Sequence, residues 1–314
     1  MRVAELAGGV GGARLAFGLQ AEVGSELTVV VNTGDDTERH GLHVSPDLDS
    51  VMYTLAGLDD PVNGWGVRDE TWAVSEQLDR LREETWFRLG DRDLATHIVR
   101  TARLRSGQRL SEVTTGLSRS LGVKALIQPM TDDPVRTMIR TDDGWIEFQE
   151  YFVHRHQEPA VREVRFDGIE RAEAPARVRA EIGYADAIVI APSNPLVSIA
   201  PILEVRDMRT LLATARRAGT PIVAVSPIVG GRAIKGPADR MLTSLGHEAS
   251  ALGVARLLAP IASGFVLDGV DAALAPEVQA LGMRALVTDT LMTDDTARTR
   301  LAHEVLQFAR AIRD

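Results

Sequence analysis

Four aspartates near the start of this 314-residue chain have the type and spacing to do chemistry. Asp35 and Asp36 follow Gly34, and Asp47 and Asp49 follow Pro46 and Leu48. Two residues apart in an extended or turning segment, Asp47 and Asp49 are expected to point the same way, with Asp35 or Asp36 arriving from a neighbouring strand end. Crowded carboxylates repel unless a proton or a cation intervenes, and hard oxygen donors suit Mg²⁺ shared with substrate phosphates. Asp35, Asp36, Asp47 and Asp49 are therefore the candidate metal ligands, and Asp36 and Asp49 the candidate catalytic carboxylates. A plainer use competes with this one, in which Asp47 or Asp49 caps the helix beginning near Val51 and Asp35 belongs to an Asx turn.

The anion that such a metal would share has a second candidate contact in Gly8-Gly9-Val10-Gly11-Gly12. Glycines let the backbone approach a ligand and leave amides free at a helix N-terminus, so Gly9, Val10, Gly11 and Gly12 are candidate contacts to the phosphates of a nucleotide. The spacing is not G-x-G-x-x-G, because Arg14 stands where the third glycine would be, and no acidic residue ends the second strand; conventional NAD binding is disfavoured. A Walker lysine motif and a G-x-S-x-G elbow are both absent. Later in the chain, Ser193 and Asn194 in the segment 191–195, and Gly230, Gly231, Arg232 and Lys235 in 226–237, also follow strands and could enclose the nucleotide, although proline and glycine punctuate most strand ends. Trp86, Phe87, Arg88 and Arg92 surround a glycine turn before a helix, where aromatic and guanidinium faces could hold a planar ring. There Asp93 is equally suited to cap that helix. His154 and His156 lack an apparent third metal ligand nearby.

The apolar run at 3–7, the glycine turn and the amphipathic stretch 13–19 read as strand, turn and helix. A second strand at 27–31 runs into Asn32-Thr33-Gly34-Asp35-Asp36. Both turns thus lie at strand C-termini, the ligand edge of an open parallel sheet. From 41 to 179 helical patterns dominate, as at 71–84 and 94–104, with one hairpin expected where Asp142-Asp143-Gly144 turns 136–141 into 145–148. Strand character returns at 187–191, 221–225, 264–267 and 284–287, and 296–312 reads as a closing helix. The expected class is α/β: a Rossmann-like, mostly parallel sheet flanked by helices, with residues 1–60 and 180–314 as the nucleotide-binding core and 61–179 as a mainly helical insertion.

Composition narrows the functions. The sequence has no Cys, which excludes disulfides, thiolate catalysis and Cys-ligated metals. A net charge of −9 provides no basic footprint for nucleic acid. No run reaches the roughly 18 apolar residues of a membrane span, and the opening lacks the pattern of a signal peptide, so a cytoplasmic protein with small-molecule partners is expected.

Taken together, these motifs resemble the 2-phospho-L-lactate transferase family of coenzyme F420 biosynthesis, whose bacterial members are also called phosphoenolpyruvate transferases. The resemblance runs along the whole chain, through Gly-Gly-Val-Gly-Gly-Ala-Arg, 32–36, 46–58, 64–71, 86–97, 148–152, 191–195 and 226–236. It implies transfer of a phospholactyl or phosphoenolpyruvyl group from a guanosine diphosphate-linked donor to the terminal ribityl hydroxyl of 7,8-didemethyl-8-hydroxy-5-deazariboflavin (Fo), with release of GMP. It further implies Mg²⁺ among the aspartates at 35–36 and 47–49, acceptor contacts at Asp49 and Arg88, and a homodimer. Arg88 stands where some members are associated with lysine. Two other readings use the same turns: a nucleotidyltransferase, marked by pyrophosphate release from a triphosphate, and a noncatalytic, regulatory binder of nucleotide sugars.

Overall fold

The computed structural model describes residues 1–60 and 64–313. Seven β-strands form one parallel sheet: β1 (Val3–Ala7), β2 (Leu27–Val31), β3 (Leu126–Pro129), β4 (Ala187–Ile190), β5 (Ile222–Val225), β6 (Gly264–Asp268) and β7 (Arg284–Thr288), in the spatial order β7-β6-β5-β4-β1-β2-β3. Six of the seven follow the doubly wound 3-2-1-4-5-6 order of dinucleotide-type folds. The strands between the edges are apolar on both faces, as a sheet covered twice must be; every residue of β1, β2, β4, β5 and β6 is buried. Alternation then divides the core. Ala4 and Leu6 pack on one side with the helices Ala176–Tyr184, Met208–Arg217 and Ala251–Leu258, while Val3 and Ala7 pack on the other with α1 (Gly9–Val23), α2 (Pro46–Leu55) and the closing helix Asp295–Arg313.

The chain order reverses between β1 and β4, which pair with Val3 opposite Ala187 and Leu6 opposite Ile190. Loops leaving the ends of these two strands diverge to opposite sides and open a crevice. The glycine turn after β1 and the 191–195 turn after β4 therefore meet at this crevice, and the 32–36 turn after β2 lies beside them.

The segment expected to be mainly helical is so over part of its length, in α3 (Ala73–Arg80), α4 (Asp91–Arg105) and α5 (Leu110–Ser120). It also holds β3, which joins the central sheet beside β2, so residues 126–129 extend that sheet. Leu126-Ile127-Gln128-Pro129 is too short and mixed to announce itself by periodicity; a partner strand supplies the reason for its conformation. The expected hairpin is present, as Arg136–Thr141 against Gly144–Glu147, and a third antiparallel strand, Glu163–Asp167, completes a small sheet. That small sheet docks on the crevice: the Thr137 amide donates to the Gly34 carbonyl at 2.7 Å, and the Gln149 side chain donates to the Asp35 carbonyl at 3.2 Å. No helix among the described residues is long and apolar enough to cross a membrane.

Candidate active site

Asp47 and Asp49 do not point the same way, as an extended segment would have placed them. They lie in the first turn of α2, where positions two residues apart differ by roughly 200° in direction. Neither caps α2; Ser45 is its N-cap residue, and no side chain makes the cap bond. The Asx turn belongs to Asn32, whose side-chain oxygen accepts from the Gly34 amide at 2.8 Å, not to Asp35.

Asp47 faces the glycine turn. Its Oδ2 accepts from Asn32 Nδ2 at 2.9 Å and its carboxylate also accepts from the Gly9 amide. A Cβ on Gly8 would come within 2.8 Å of Asp47 Oδ2, and Gly9 has φ +60°, so the first two glycines are what let the chain wrap this carboxylate. Burial raises the Asp47 carboxyl to about 6, against the lowering effect of Asn32. Asp35 is raised well above the carboxylate range by burial and then by Asp47. Asp36 Oδ2 accepts from Ser45 Oγ at 2.8 Å and meets His43 Nε2 at 2.9 Å.

Asp35, Asp36 and Asp47 thus converge as buried carboxylates. Asp35 Oδ1 and Asp36 Oδ1 have no hydrogen-bond partner, and among the described residues no Lys or Arg forms an ion pair with Asp35 or Asp47. Buried carboxylate oxygens without donors are costly unless a proton or a cation satisfies them.

Asp49 has a different setting. Both of its oxygens are held by the Arg100 guanidinium, through Nη1 at 3.0 Å and through Nη2. Asp49, Asp93 and His97 present ligand atoms within 4.8 Å of one another, a buried group that could bind a metal ion. In this group Arg100 already supplies a positive charge, unlike at Asp35 and Asp47. Burial raises the Asp49 carboxyl, opposed by Arg100 and His97. Asp93 is not the cap of α4, the alternative its position suggested. Gly90 is the N-cap residue, and Glu70 accepts from the Arg92 amide at 2.7 Å and the Asp93 amide at 3.1 Å.

The donor-side candidates divide in the same manner. Ser193 Oγ accepts from the Gly8 amide at 3.1 Å and donates to the Gly8 carbonyl at 2.7 Å, tying the two strand-end turns together. A Cβ on Gly11 would lie 2.2 Å from the Pro192 carbonyl oxygen and one on Gly12 2.8 Å from Ala7 Cβ, so these glycines seat α1 against the crevice wall. Val10 borders the mouth of the turn, next to Gly64 and Lys235. Asn194 caps the turn Pro195–Ile199 through the Leu196 amide. Gly230 and Gly231, both at positive φ, turn the hairpin that pairs Val229 with Arg232, and the Gly230 amide donates to Asp271. Lys235 reaches back toward Gly64; burial and then Arg14 lower its pKa. Arg88 is exposed, its guanidinium 4.2 Å from the Trp72 ring centre. Trp86 stacks on His154 at 4.8 Å and lies under Arg39 at 4.2 Å.

Sequence reasoning missed Asn32, His43 and Ser45 as carboxylate partners, and it missed Arg100. One signal was available for the last. Asp93, His97 and Arg100 follow the i, i+4, i+7 spacing of a single helical stripe.

The sequence model of the family described as 2-phospho-L-lactate transferase CofD matches residues 3–302. A phosphoenolpyruvate transferase of Streptomyces griseus is 43% identical over 100% of both chains, and a 2-phospho-L-lactate transferase of Methanopyrus kandleri is 38% identical over 99% of both. The crystal structure of a UPF0052-family protein from Bacillus halodurans superposes with a TM-score of 0.64 over 97% of this chain and 98% of its own, at 13% identity, a likeness of fold alone. Full-length matches at this identity leave no segment of the crevice outside the shared sequence, and the chain belongs to the 2-phospho-L-lactate transferase CofD family.

Proposed function

We propose that the protein transfers a phospholactyl or phosphoenolpyruvyl group from a guanosine diphosphate-linked donor to the 5′-hydroxyl of Fo, releasing GMP. The observation that carries this reading is the cluster of buried carboxylates Asp35, Asp36 and Asp47, the last of them against the glycine turn, with Asp49 on the opposite side of the same α2 turn. In the reaction a new P–O bond forms between the ribityl oxygen and the phosphorus that carries the three-carbon acid. The anhydride bond to the GMP phosphate breaks, and the hydroxyl proton must be taken up. Such a displacement is catalysed mainly by placement and by charge neutralisation.

Asp35, Asp36 and Asp47 are proposed to hold Mg²⁺, which when bound would neutralise charge on the diphosphate oxygens. Asp49, proposed instead on the acceptor side, orients the ribityl hydroxyl and accepts its proton. Arg88 and the neighbouring aromatics border the deazaflavin, and Lys235 with the backbone of Val10 faces the donor. Because Gly11, Gly12, Ser193, Asn194, Gly230 and Gly231 spend their contacts on turns and helix seating, their support for the donor is through the shape of the wall. Arg232, on the far strand of that hairpin, is exposed and remains a candidate for the guanosine side. A cytoplasmic homodimer is the proposed working form.

The test incubates purified protein with Fo, Mg²⁺ and either the lactyl or the enolpyruvyl donor and identifies the product by mass. Expected are phosphodiester-linked Fo and GMP in equal amounts. Pyrophosphate released from a nucleoside triphosphate would instead establish a nucleotidyltransferase, and nucleotide-sugar binding without turnover a regulatory protein.

A further inference from the structure

Behind Asp49 lies a closed set of buried polar side chains that the proposed chemistry does not itself use. Arg100, 1% exposed, donates to both Asp49 oxygens. The same Nη1 lies 3.2 Å from His97 Nδ1. An arginine nitrogen can only donate, so His97 Nδ1 is the accepting nitrogen and its proton sits on Nε2. That Nε2 is 3.1 Å from Asp93 Oδ2, off the line of an ideal hydrogen bond, and Tyr53 Oη donates to Asp93 Oδ1 at 2.6 Å. Tyr53 stands four residues after Asp49 on α2, on the same stripe. The chain of contacts thus leaves α2 at Asp49, passes Arg100, His97 and Asp93 on α4, and returns to α2 at Tyr53.

We propose that Arg100 and His97 are positioning residues for the transfer: Arg100 fixes the two Asp49 oxygens in one orientation, and His97 fixes Arg100. The proposal rests on the reading of Asp49 as the acceptor-side carboxylate. Its physical basis is that a bidentate guanidinium fork constrains a carboxylate in both position and plane, which a lysine ammonium does not. His97 Nε2 faces Asp93 Oδ2 at 3.1 Å, and the fork cannot rotate without breaking its contacts to both Asp49 and His97. Burial of Asp49, His97 and Arg100 keeps water from substituting at the fork itself.

The test is a double-mutant cycle on the full-length protein, with Fo, Mg²⁺ and the enolpyruvyl donor, followed by product mass in single turnovers. Arg100→Lys keeps the charge and loses the fork; it is expected to slow transfer by about 10²-fold while the donor KM stays within about twofold. In an Asp49→Asn background, the same Arg100→Lys change is expected to cost nothing further, because its effect passes through Asp49. Should the two losses multiply, the network is a staple between α2 and α4 and the proposal falls. Full transfer by Asp49→Asn overturns the Asp49 reading and the proposal with it. A crippled Asp49→Asn beside a fully active Arg100→Lys overturns the positioning role alone. If Arg100→Lys does not fold, His97 carries the test. His97→Ala is expected to lose about tenfold and His97→Gln, able to accept from Arg100 and donate to Asp93, to recover most of it. Equal loss in both His97 variants overturns the proposal.

Discussion

At the scale of single residues, the four aspartates are distinguished by what surrounds them. Asp47 touches Asn32 and the Gly9 amide, whereas Asp49 touches Arg100, although one leucine separates them in sequence. Asp47→Asn preserves shape and removes charge from the proposed metal-binding set. We expect it to reduce Mg²⁺-dependent transfer by at least about 10²-fold and to weaken Mg²⁺ binding measured calorimetrically; unchanged Mg²⁺ affinity would remove Asp47 from the ligand set. These residue types were legible in the sequence as a group. Their division was not, because it follows from a helical turn beginning at Pro46 that points them to opposite partners.

At the scale of elements, α1 has no room to shift relative to the turn after β4. A methyl added at Gly11 would sit 2.2 Å from the Pro192 carbonyl oxygen, which is backbone and cannot rotate aside. Gly11→Ala is therefore expected to lower the melting temperature by several degrees, corresponding to roughly 1–3 kcal/mol, and to reduce transfer along with it. Gly183→Ala, in the helix Ala176–Tyr184 with nothing within 4 Å of the added methyl, is the control and should be neutral or stabilising by up to about 1 kcal/mol. A fully stable and active Gly11→Ala protein would show that α1 does not need its close seat. The strand–glycine–helix pattern could be read from the sequence. What the glycines are for could not, since Gly11 and Gly12 answer to residues 192–193, brought beside them by the β1–β4 pairing.

At the scale of the whole molecule, folding buries acids that it does not fully pair. Asp47 rises to about 6 from 3.8, and Asp35 and Glu5 are raised well above their ordinary values, each chiefly by burial. A folded state whose carboxyls are raised binds more protons than the unfolded chain between the two pKa values. Its stability is therefore greatest below the unfolded pKa, falls as pH climbs, and for Asp47 has lost roughly 3 kcal/mol by the time pH passes about 6. Metal-free protein should accordingly gain melting temperature between pH 7 and pH 5.5, and Mg²⁺ should raise it at pH 7 more than at pH 5.5. Differential scanning calorimetry with and without Mg²⁺ tests this; a metal response that grows as pH falls would contradict it. The sequence by itself determined the alternation of apolar strands and amphipathic helices, the strand ends at which the glycine turns lie and the candidate residues for phosphoryl chemistry, because periodicity and residue type are local. Only the tertiary structure decided that residues 126–129 extend the sheet, that Asp35, Asp36 and Asp47 are buried close enough to interact, and that Arg100 claims Asp49. Each of those depends on which distant segments the sheet order brings into contact, and no local pattern encodes that distance.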